Sequence, residues 1–247
     1  MSIATALQDV QQQMRAAAER AGRPASEVRL LLVTKTVAAE RVRQAIAAGA
    51  SELGENKVQE GRPKAAALAG EPVRWAMIGH LQSNKAKEML DFASSLHSLD
   101  RLSLATALER RLQTLGRGLD VLIQVNTSGE ASKYGLAPAE LPAFLRSLTA
   151  FDALRPRGLM TLATFTPDQT EVRRCFRLLR SLRDQARNDA PQGADLCELS
   201  MGMSGDFPAA IEEGATIVRV GQAVFGARPT PDSFYWPEGD TAAVPPA

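Results

Sequence analysis

The sequence predicts an α/β protein, a (β/α)8 barrel of the TIM type. Three observations lead there. Strand-length apolar runs alternate with helical segments along the chain, about eight such units fit the size usual for this barrel, and no linker separates the two halves. Strict alternation implies parallel strands joined by right-handed crossovers. A doubly wound sheet is the alternative, because several of the strands are short.

The elements follow in order. Met1 to Gly22 reads as a polar helix rich in Ala, Gln and Arg, without the apolar run of a signal peptide. Val28–Val33 is the first strand, closed by Thr34-Lys35-Thr36, and Ala39–Ala48 is helical, with Val42, Ala45 and Ile46 on one face and Gly49 as a stop. Ser51–Gly54 is a short strand leading through Glu55-Asn56 into a helix over Lys57–Leu68. Val73–Ile78 is the third strand, Ser83–Phe92 a helix and Ser95–Ser98 a weak fourth strand. Asp100 is then expected to cap a helix reaching Leu115. Leu119–Val125 is the clearest strand, followed by a polar loop and a helix from Pro138, a residue tolerated in a first turn, to about Ala150. Arg157–Leu162, Asp195–Leu199 and Thr216–Val220 are the last three strands, separated by helices at Pro167–Asn188 and Phe207–Gly214. The barrel is expected to span residues 1–228, with a mobile proline-rich tail over 229–247.

Composition removes several classes. The 247 residues are 45% hydrophobic and 23% charged with a net charge of +1, which gives no electrostatic case for nucleic acid or an anionic membrane. Two cysteines, Cys175 and Cys197, exclude a disulfide framework, and the two histidines, His80 and His97, lack the neighbours of a metal site, so no metal is expected. No stretch approaches a membrane span, and the expected location is the cytoplasm.

A barrel of this type places its chemistry after the carboxyl ends of the strands. The residues there are Lys35, Glu55 and Asn56, His80, Ser98 and Asp100, Asn126, Met160 and Thr161, Ser200, and Arg219 with Gly221. Lys35 stands out, because a lysine drawn into a barrel mouth loses pKa, and a neutral amine can attack a carbonyl. The ordinary alternative is a surface lysine at a strand end. Ser200-Met-Gly-Met-Ser204-Gly-Asp206 and Arg219-Val-Gly221-Gln222 follow the last two strands, where such barrels often bind phosphate on free backbone N–H groups. A simple helix cap at Ser204 is the plainer explanation. Arg219 must either satisfy a carboxylate, with Glu198 or Glu55 as candidates, or face a ligand ring nitrogen and hold it unprotonated. A lysine opposite a phosphate cup fits a Schiff-base aldolase for a sugar phosphate, or pyridoxal 5'-phosphate (PLP). The place of the lysine after the first strand favours PLP.

Six motifs in order then carry a resemblance: Leu31-Leu-Val-Thr-Lys35-Thr, Gly54-Glu-Asn56 with Val58-Gln-Glu60, Ile78-Gly-His-Leu-Gln-Ser-Asn-Lys85, Arg157-Gly-Leu-Met160, Ser200-Met-Gly-Met-Ser204 and Val218-Arg-Val-Gly221. From about Ala4 to Arg228 the chain resembles the YggS/PROSC family of pyridoxal phosphate homeostasis proteins. The resemblance implies the PLP-binding barrel of the alanine racemase N-terminal-domain type. It implies that Lys35 carries PLP as an internal aldimine, with Asn56 near the ring and Arg219 near the pyridine nitrogen. Ser200, Met201, Ser204, Gly221 and Gln222 would lie around the cofactor and its phosphate. Three departures mark this chain: Gln222 where a small hydroxyl residue is usual, Trp75-Ala-Met77 below His80, and Tyr134 in a loop that usually carries smaller residues.

Racemases with this barrel need a second, β-rich domain that supplies a tyrosine base. Here the barrel is followed by about twenty residues, and the only tyrosines are Tyr134 and Tyr235. The expected function is therefore PLP buffering or delivery without robust catalysis, in a monomer that makes transient contact with apo PLP enzymes. A PLP-dependent racemase or decarboxylase using Lys35 as base is the competing reading, and a sugar-phosphate lyase the third. His80 is expected to orient the barrel rim, Cys175 and Cys197 to be inert core, and the arginines of 173–187 to form a solvated face.

Overall fold

The computed structural model describes residues 2–189 and 195–227, and the proline-rich tail expected over 229–247 lies outside them. Eight parallel strands close into a barrel in sequence order. They are β1 (Arg29–Val33), β2 (Glu52–Glu55), β3 (Arg74–Met77), β4 (Ser95–Leu99), β5 (Leu119–Gln124), β6 (Leu154–Met160), β7 (Glu198–Ser200) and β8 (Ile217–Val220). The last strand returns to the first with Leu31 opposite Arg219. This register brings the predicted amine and the predicted ring partner to neighbouring strands.

An opening helix α1 (Ile3–Arg20) is capped by Ser2, whose hydroxyl accepts from the Thr5 N–H. Seven helices then connect consecutive strands: α2 (Ala39–Ala47), α3 (Val58–Ala67), α4 (Ala86–Leu90), α5 (Leu102–Leu115), α6 (Leu141–Leu148), α7 (Gln169–Asp189) and α8 (Phe207–Glu212). A single turn, α9 (Gln222–Phe225), follows the last strand. The helix α1 packs on α2, α8 and α9, outside the seam where β8 meets β1.

Side-chain alternation along the strands produces two apolar cores. Leu31, Ala76, Leu122, Met160 and Ile217 fill the barrel interior. Their neighbours Leu32, Val121, Leu159 and Val218 face outward into the larger core under the helices. On α7 the helical spacing of Val172, Cys175, Phe176, Leu179 and Leu182 puts them on one face; the first four are buried and Leu182 is half-buried against the same core.

Several local expectations give way. Arg101, not Asp100, occupies the N-cap of α5, and Asp100 instead accepts from the Arg101 guanidinium at 2.7 Å. The sixth strand begins three residues earlier than expected, at Leu154, and stops at Met160. The seventh covers only Glu198–Ser200, so Cys197 precedes it and is exposed, with its thiol on the Asp195 carboxylate at 2.5 Å. Cys197 is thus not core, whereas Cys175 is. The arginines of α7 are not simply solvated, because Arg173 and Arg177 reach Glu213 at 3.1 and 3.0 Å, and Arg173 also pairs with Glu212. These pairs pin α7 to α8.

Candidate functional site

At the carboxyl end of β1, Leu31 points into the barrel and Leu32 away from it. Thr34 continues outward, where its hydroxyl donates to Glu55 Oε1 at 2.6 Å. Lys35 comes two residues after β1 ends, in the turn closed by the Val37 N–H on the Thr34 carbonyl, and is half-buried. Glu55 is not part of the barrel mouth. It lies on the outer side of the wall, fully buried, paired with Lys64 of α3 at 2.5 Å. Burial raises its carboxyl pKa, and the Lys64 ammonium opposes the rise.

Arg219 lies on the inner face of β8 and is 3% exposed. Its guanidinium donates to Ser200 Oγ at 2.8 Å and to the Thr161 carbonyl at 2.7 Å. Among the described residues no carboxylate pairs with it directly, so neither Glu198 nor Glu55 plays the structural part expected. Glu198 pairs with Arg29 at 2.7 Å, and Glu55 is on the other side of the wall. Burial brings the Arg219 pKa down to about 10, against a weaker pull from Asp206, which leaves the group cationic at neutral pH. Because the guanidinium donates to Ser200, the serine proton is available to His97 Nδ1, 3.2 Å away. His97 can accept it, since burial, with Arg219 and Arg29 adding to it, drives its pKa to about 3 and keeps the ring neutral. The result is a buried chain from His97 through Ser200 to Arg219.

The wall beside β1 is built from the loops after β7 and β8, next to Lys35 rather than across the mouth from it as the sequence suggested. Ser204 does not cap its own helix. Its hydroxyl accepts from the backbone N–H groups of Gly221 and Ala223, each at 3.3 Å, tying one loop to the other. Asp206 is the N-cap of α8, and its carboxylate takes the Met203 N–H at 2.5 Å. Gly221 approaches β1 so closely that a Cβ there would lie 2.8 Å from the Val33 carbonyl oxygen. Gln222 follows at the first position of α9, where no preceding turn can take its N–H. Met201 is fully buried in the outer core, and its N–H is bonded to the Ile217 carbonyl, so only its backbone borders this wall.

Asn56 is half-buried where β2 ends, packed against Gly79, at which a Cβ would lie 2.2 Å from the Asn56 carbonyl oxygen. Ser98 donates to the Gly79 carbonyl at 2.6 Å and holds that turn. His80 stacks on Tyr134 with centroids 4.0 Å apart and planes at 16°, and its Nδ1 lies 3.5 Å from Asp100. Burial lowers the His80 pKa, with Asp100 opposing. Asn126 folds its own loop, donating to the Glu130 carbonyl at 2.8 Å.

The donor set fits the cofactor that the resemblance implies. PLP needs an amine for its aldehyde, donors for a phosphate dianion and a polar group for its ring nitrogen. The mouth offers Lys35, the Gln222 N–H beside the Ser204 hydroxyl, whose oxygen holds the Gly221 and Ala223 N–H groups, and a buried arginine with no directly paired carboxylate among the described residues. Lys35 and the two glycine-rich loops were readable in the sequence. His97 was not, although its place two residues after Ser95, in a strand of otherwise small and apolar residues, was a usable signal.

Comparison with known proteins agrees with the barrel fold. The family model for the alanine racemase N-terminal domain matches residues 6–229. A pyridoxal phosphate homeostasis protein of Pseudomonas aeruginosa is 44% identical over 227 residues, covering 92% of this chain and 96% of that one. The structure of PipY from Synechococcus elongatus PCC7942 with PLP bound superposes with a TM-score of 0.77 at 38% identity, covering 87% of this chain and 99% of that one. Alanine racemase of Corynebacterium glutamicum shares the fold, with a TM-score of 0.65 at 17% identity over 90% of this chain and 61% of that one.

Proposed function

The chain belongs to the alanine racemase N-terminal-domain family and, within it, to the pyridoxal phosphate homeostasis proteins; from that premise we propose that it holds PLP at the barrel mouth to buffer or deliver it. In this reading Lys35 supplies the amine for a covalent Schiff base. The Ser204 hydroxyl and the Gln222 backbone N–H would supply donors to the phosphate, Gly221 shapes the loop beside it with its own N–H on Ser204, and Asn56 borders the ring. Arg219 faces the ring nitrogen, and Ser200 serves as its support, because the serine hydroxyl is committed to Arg219 and His97. The backbone of Met201 borders the site.

Arg219 carries this reading. A buried guanidinium without a carboxylate is costly unless something else uses its charge and donors. Beside a pyridine nitrogen, a cation disfavours protonation of that nitrogen. When bound, PLP supplies an electrophilic aldehyde and a ring that withdraws electrons best when protonated. Arg219 therefore favours holding the cofactor over turning over amino acids, in keeping with relatives named for homeostasis.

Delivery calls for a surface that recipients can approach. Of five large apolar side chains exposed among the described residues, Leu102, Tyr134, Phe165 and Met203 follow the carboxyl ends of β4 to β7. Such clustering marks contact surfaces. It supports transient docking of apo PLP enzymes on the mouth by a monomeric barrel spanning residues 1–228. No helix among the described residues is long and apolar enough to cross a membrane, and the proposed location is the cytoplasm.

The test mixes PLP-loaded protein with an apo PLP enzyme and follows the recovery of that enzyme's activity. Recovery faster than release of PLP into buffer is expected. Amino-acid turnover above the free-PLP background, lost in Lys35→Ala, would overturn the reading in favour of a racemase or decarboxylase.

A further inference from the structure

Thr36, directly after Lys35, has a φ of +64°, the one positive φ at a non-glycine residue among the described residues. A β-branched side chain is disfavoured there. The turn is closed by the Val37 N–H on the Thr34 carbonyl at 3.0 Å, with Lys35 and Thr36 as its central residues. A positive φ at the second central residue marks a type II turn, which ordinarily takes glycine at that place. Nothing in the local sequence favours this conformation, so contacts from elsewhere must hold it.

Those contacts come from one helix. Glu60 Oε2 accepts the Thr36 N–H at 2.9 Å. One helical turn on, Lys64 Nζ donates to the Thr34 carbonyl at 2.6 Å and to Glu55 Oε1 at 2.5 Å. The same Glu55 oxygen accepts the Thr34 hydroxyl at 2.6 Å. Glu60 and Lys64 share a face of α3 by their spacing, and between them they hold the backbone on both sides of Lys35. Relaxing Thr36 to a negative φ requires the Lys35–Thr36 peptide to rotate, and Glu60 holds the N–H of that peptide.

We propose that Glu60 and Lys64 are positioning residues for Lys35: together they keep its turn in a strained conformation that aims the amine into the barrel mouth. The proposal rests on Lys35 being the cofactor amine. It assigns α3 a function beyond covering the barrel, because its two charged residues act through the backbone of the turn rather than by touching the cofactor.

The experiment uses Glu60→Ala, Glu60→Gln and the double variant Glu60→Ala/Thr36→Gly. Lys64→Met is set aside because it strands the buried Glu55. In the apo-protein, reductive methylation with formaldehyde and cyanoborohydride is followed by mass spectrometry, with the exposed Lys87 as internal reference. PLP retention is measured separately on loaded protein. Glu60→Ala is expected to release the turn, raising Lys35 labelling about threefold relative to Lys87 and weakening PLP retention about tenfold, the scale of one charge-assisted hydrogen bond. Glu60→Gln, which still accepts the Thr36 N–H, should recover most of both. In the double variant glycine removes the strain that opposes the native turn, and labelling should return toward wild type. Lys35 labelling in Glu60→Ala equal to wild type would overturn the proposal. Wild-type protein that fails to take PLP on Lys35 would instead overturn the cofactor reading, while the labelling result would still report on α3.

Discussion

Lys64 and Arg219 are buried cations near the same end of the barrel, on opposite sides of its wall. Lys64 lies outside, between β1 and α3, and its charge is met by the carboxylate of Glu55. Arg219 lies inside and, among the described residues, bonds to a hydroxyl and a carbonyl, with Asp206 acting on it only at longer range. The first arrangement pairs its charges within the protein, although Glu55 Oε2 is buried without a hydrogen-bond partner among the described residues. In the second, the guanidinium has two acceptors but no directly paired carboxylate among the described residues, which is the state expected of a group whose partner is a ligand. Thr34 belongs to the paired cluster through its hydroxyl on Glu55, and Lys35 follows it in the turn after β1. One strand end thus joins a closed structural cluster to the open one proposed to hold the cofactor.

The largest effect should come from breaking the closed cluster. Lys64→Met leaves Glu55 buried without its cation and should cost about 3–5 kcal/mol, read as a fall in the midpoint of urea unfolding. Adding Glu55→Met to it should restore most of that loss, because the pair is then replaced by apolar groups of similar size. A double variant no more stable than Lys64→Met would show that the pair is not the self-contained unit described above.

The open cluster should behave the other way. Arg219→Met removes a desolvated charge but leaves the Thr161 carbonyl without its donor, so the net stability loss should be about 1–2 kcal/mol, smaller than for Lys64→Met. PLP binding should weaken by more than stability does, measured by equilibrium titration of the absorbance. A variant that loses stability but binds PLP as wild type would assign Arg219 to the fold alone.

The ion pairs between α7 and α8 offer a smaller comparison, with acid as the probe. Hydrogen bonds from Arg173 and Arg20 hold the Glu212 pKa below the ordinary 4.5. At Glu213, burial pushes the pKa up, but Arg177 and Arg173 outweigh it, so the net shift is also downward. A depressed folded-state pKa gives stability that is present above the unfolded value and lost as pH falls through the folded one. Glu55 has the opposite sign: its raised pKa favours the fold at low pH, and that contribution is lost as pH rises through the folded value. Thermal unfolding scans below pH 4.5 should therefore show a steeper loss of Tm in wild type than in Glu212→Gln/Glu213→Gln. Parallel curves would mean that these partly exposed pairs add nothing measurable.

The smallest effect is expected at Gln222. Its backbone N–H is already available at the start of α9, so Gln222→Thr should hold PLP at least as tightly as wild type, with a hydroxyl as the only gain. Clearly faster release from the variant would show that the glutamine side chain takes part in the cup.

The strand order and the mouth could be read from the sequence because both depend on local signals. Alternating apolar runs revealed the barrel, and small residues after the last two strands pointed to the loops that meet at Ser204 and Gly221. The partner of Arg219 could not be read, because it depends on register across β6, β7 and β8, which turned it toward Ser200 and the Thr161 carbonyl rather than toward Glu198. Asp100 resembled a cap by residue type, yet the chain enters α5 one residue later and the carboxylate serves Arg101. Cys197 resembled core because the seventh strand was expected to span Asp195–Leu199, but β7 starts only after it. The strain at Thr36 left no trace at all, since threonine is the wrong residue for the conformation it adopts and only the long-range hold of α3 explains it.

The most direct test of the account is borohydride reduction of PLP-loaded protein followed by peptide mapping. The account predicts one reduced pyridoxyl adduct, on Lys35, formed with loss of the visible absorbance and absent from Lys35→Ala. An adduct fixed mainly on another lysine, or a protein that PLP leaves colourless, would contradict it.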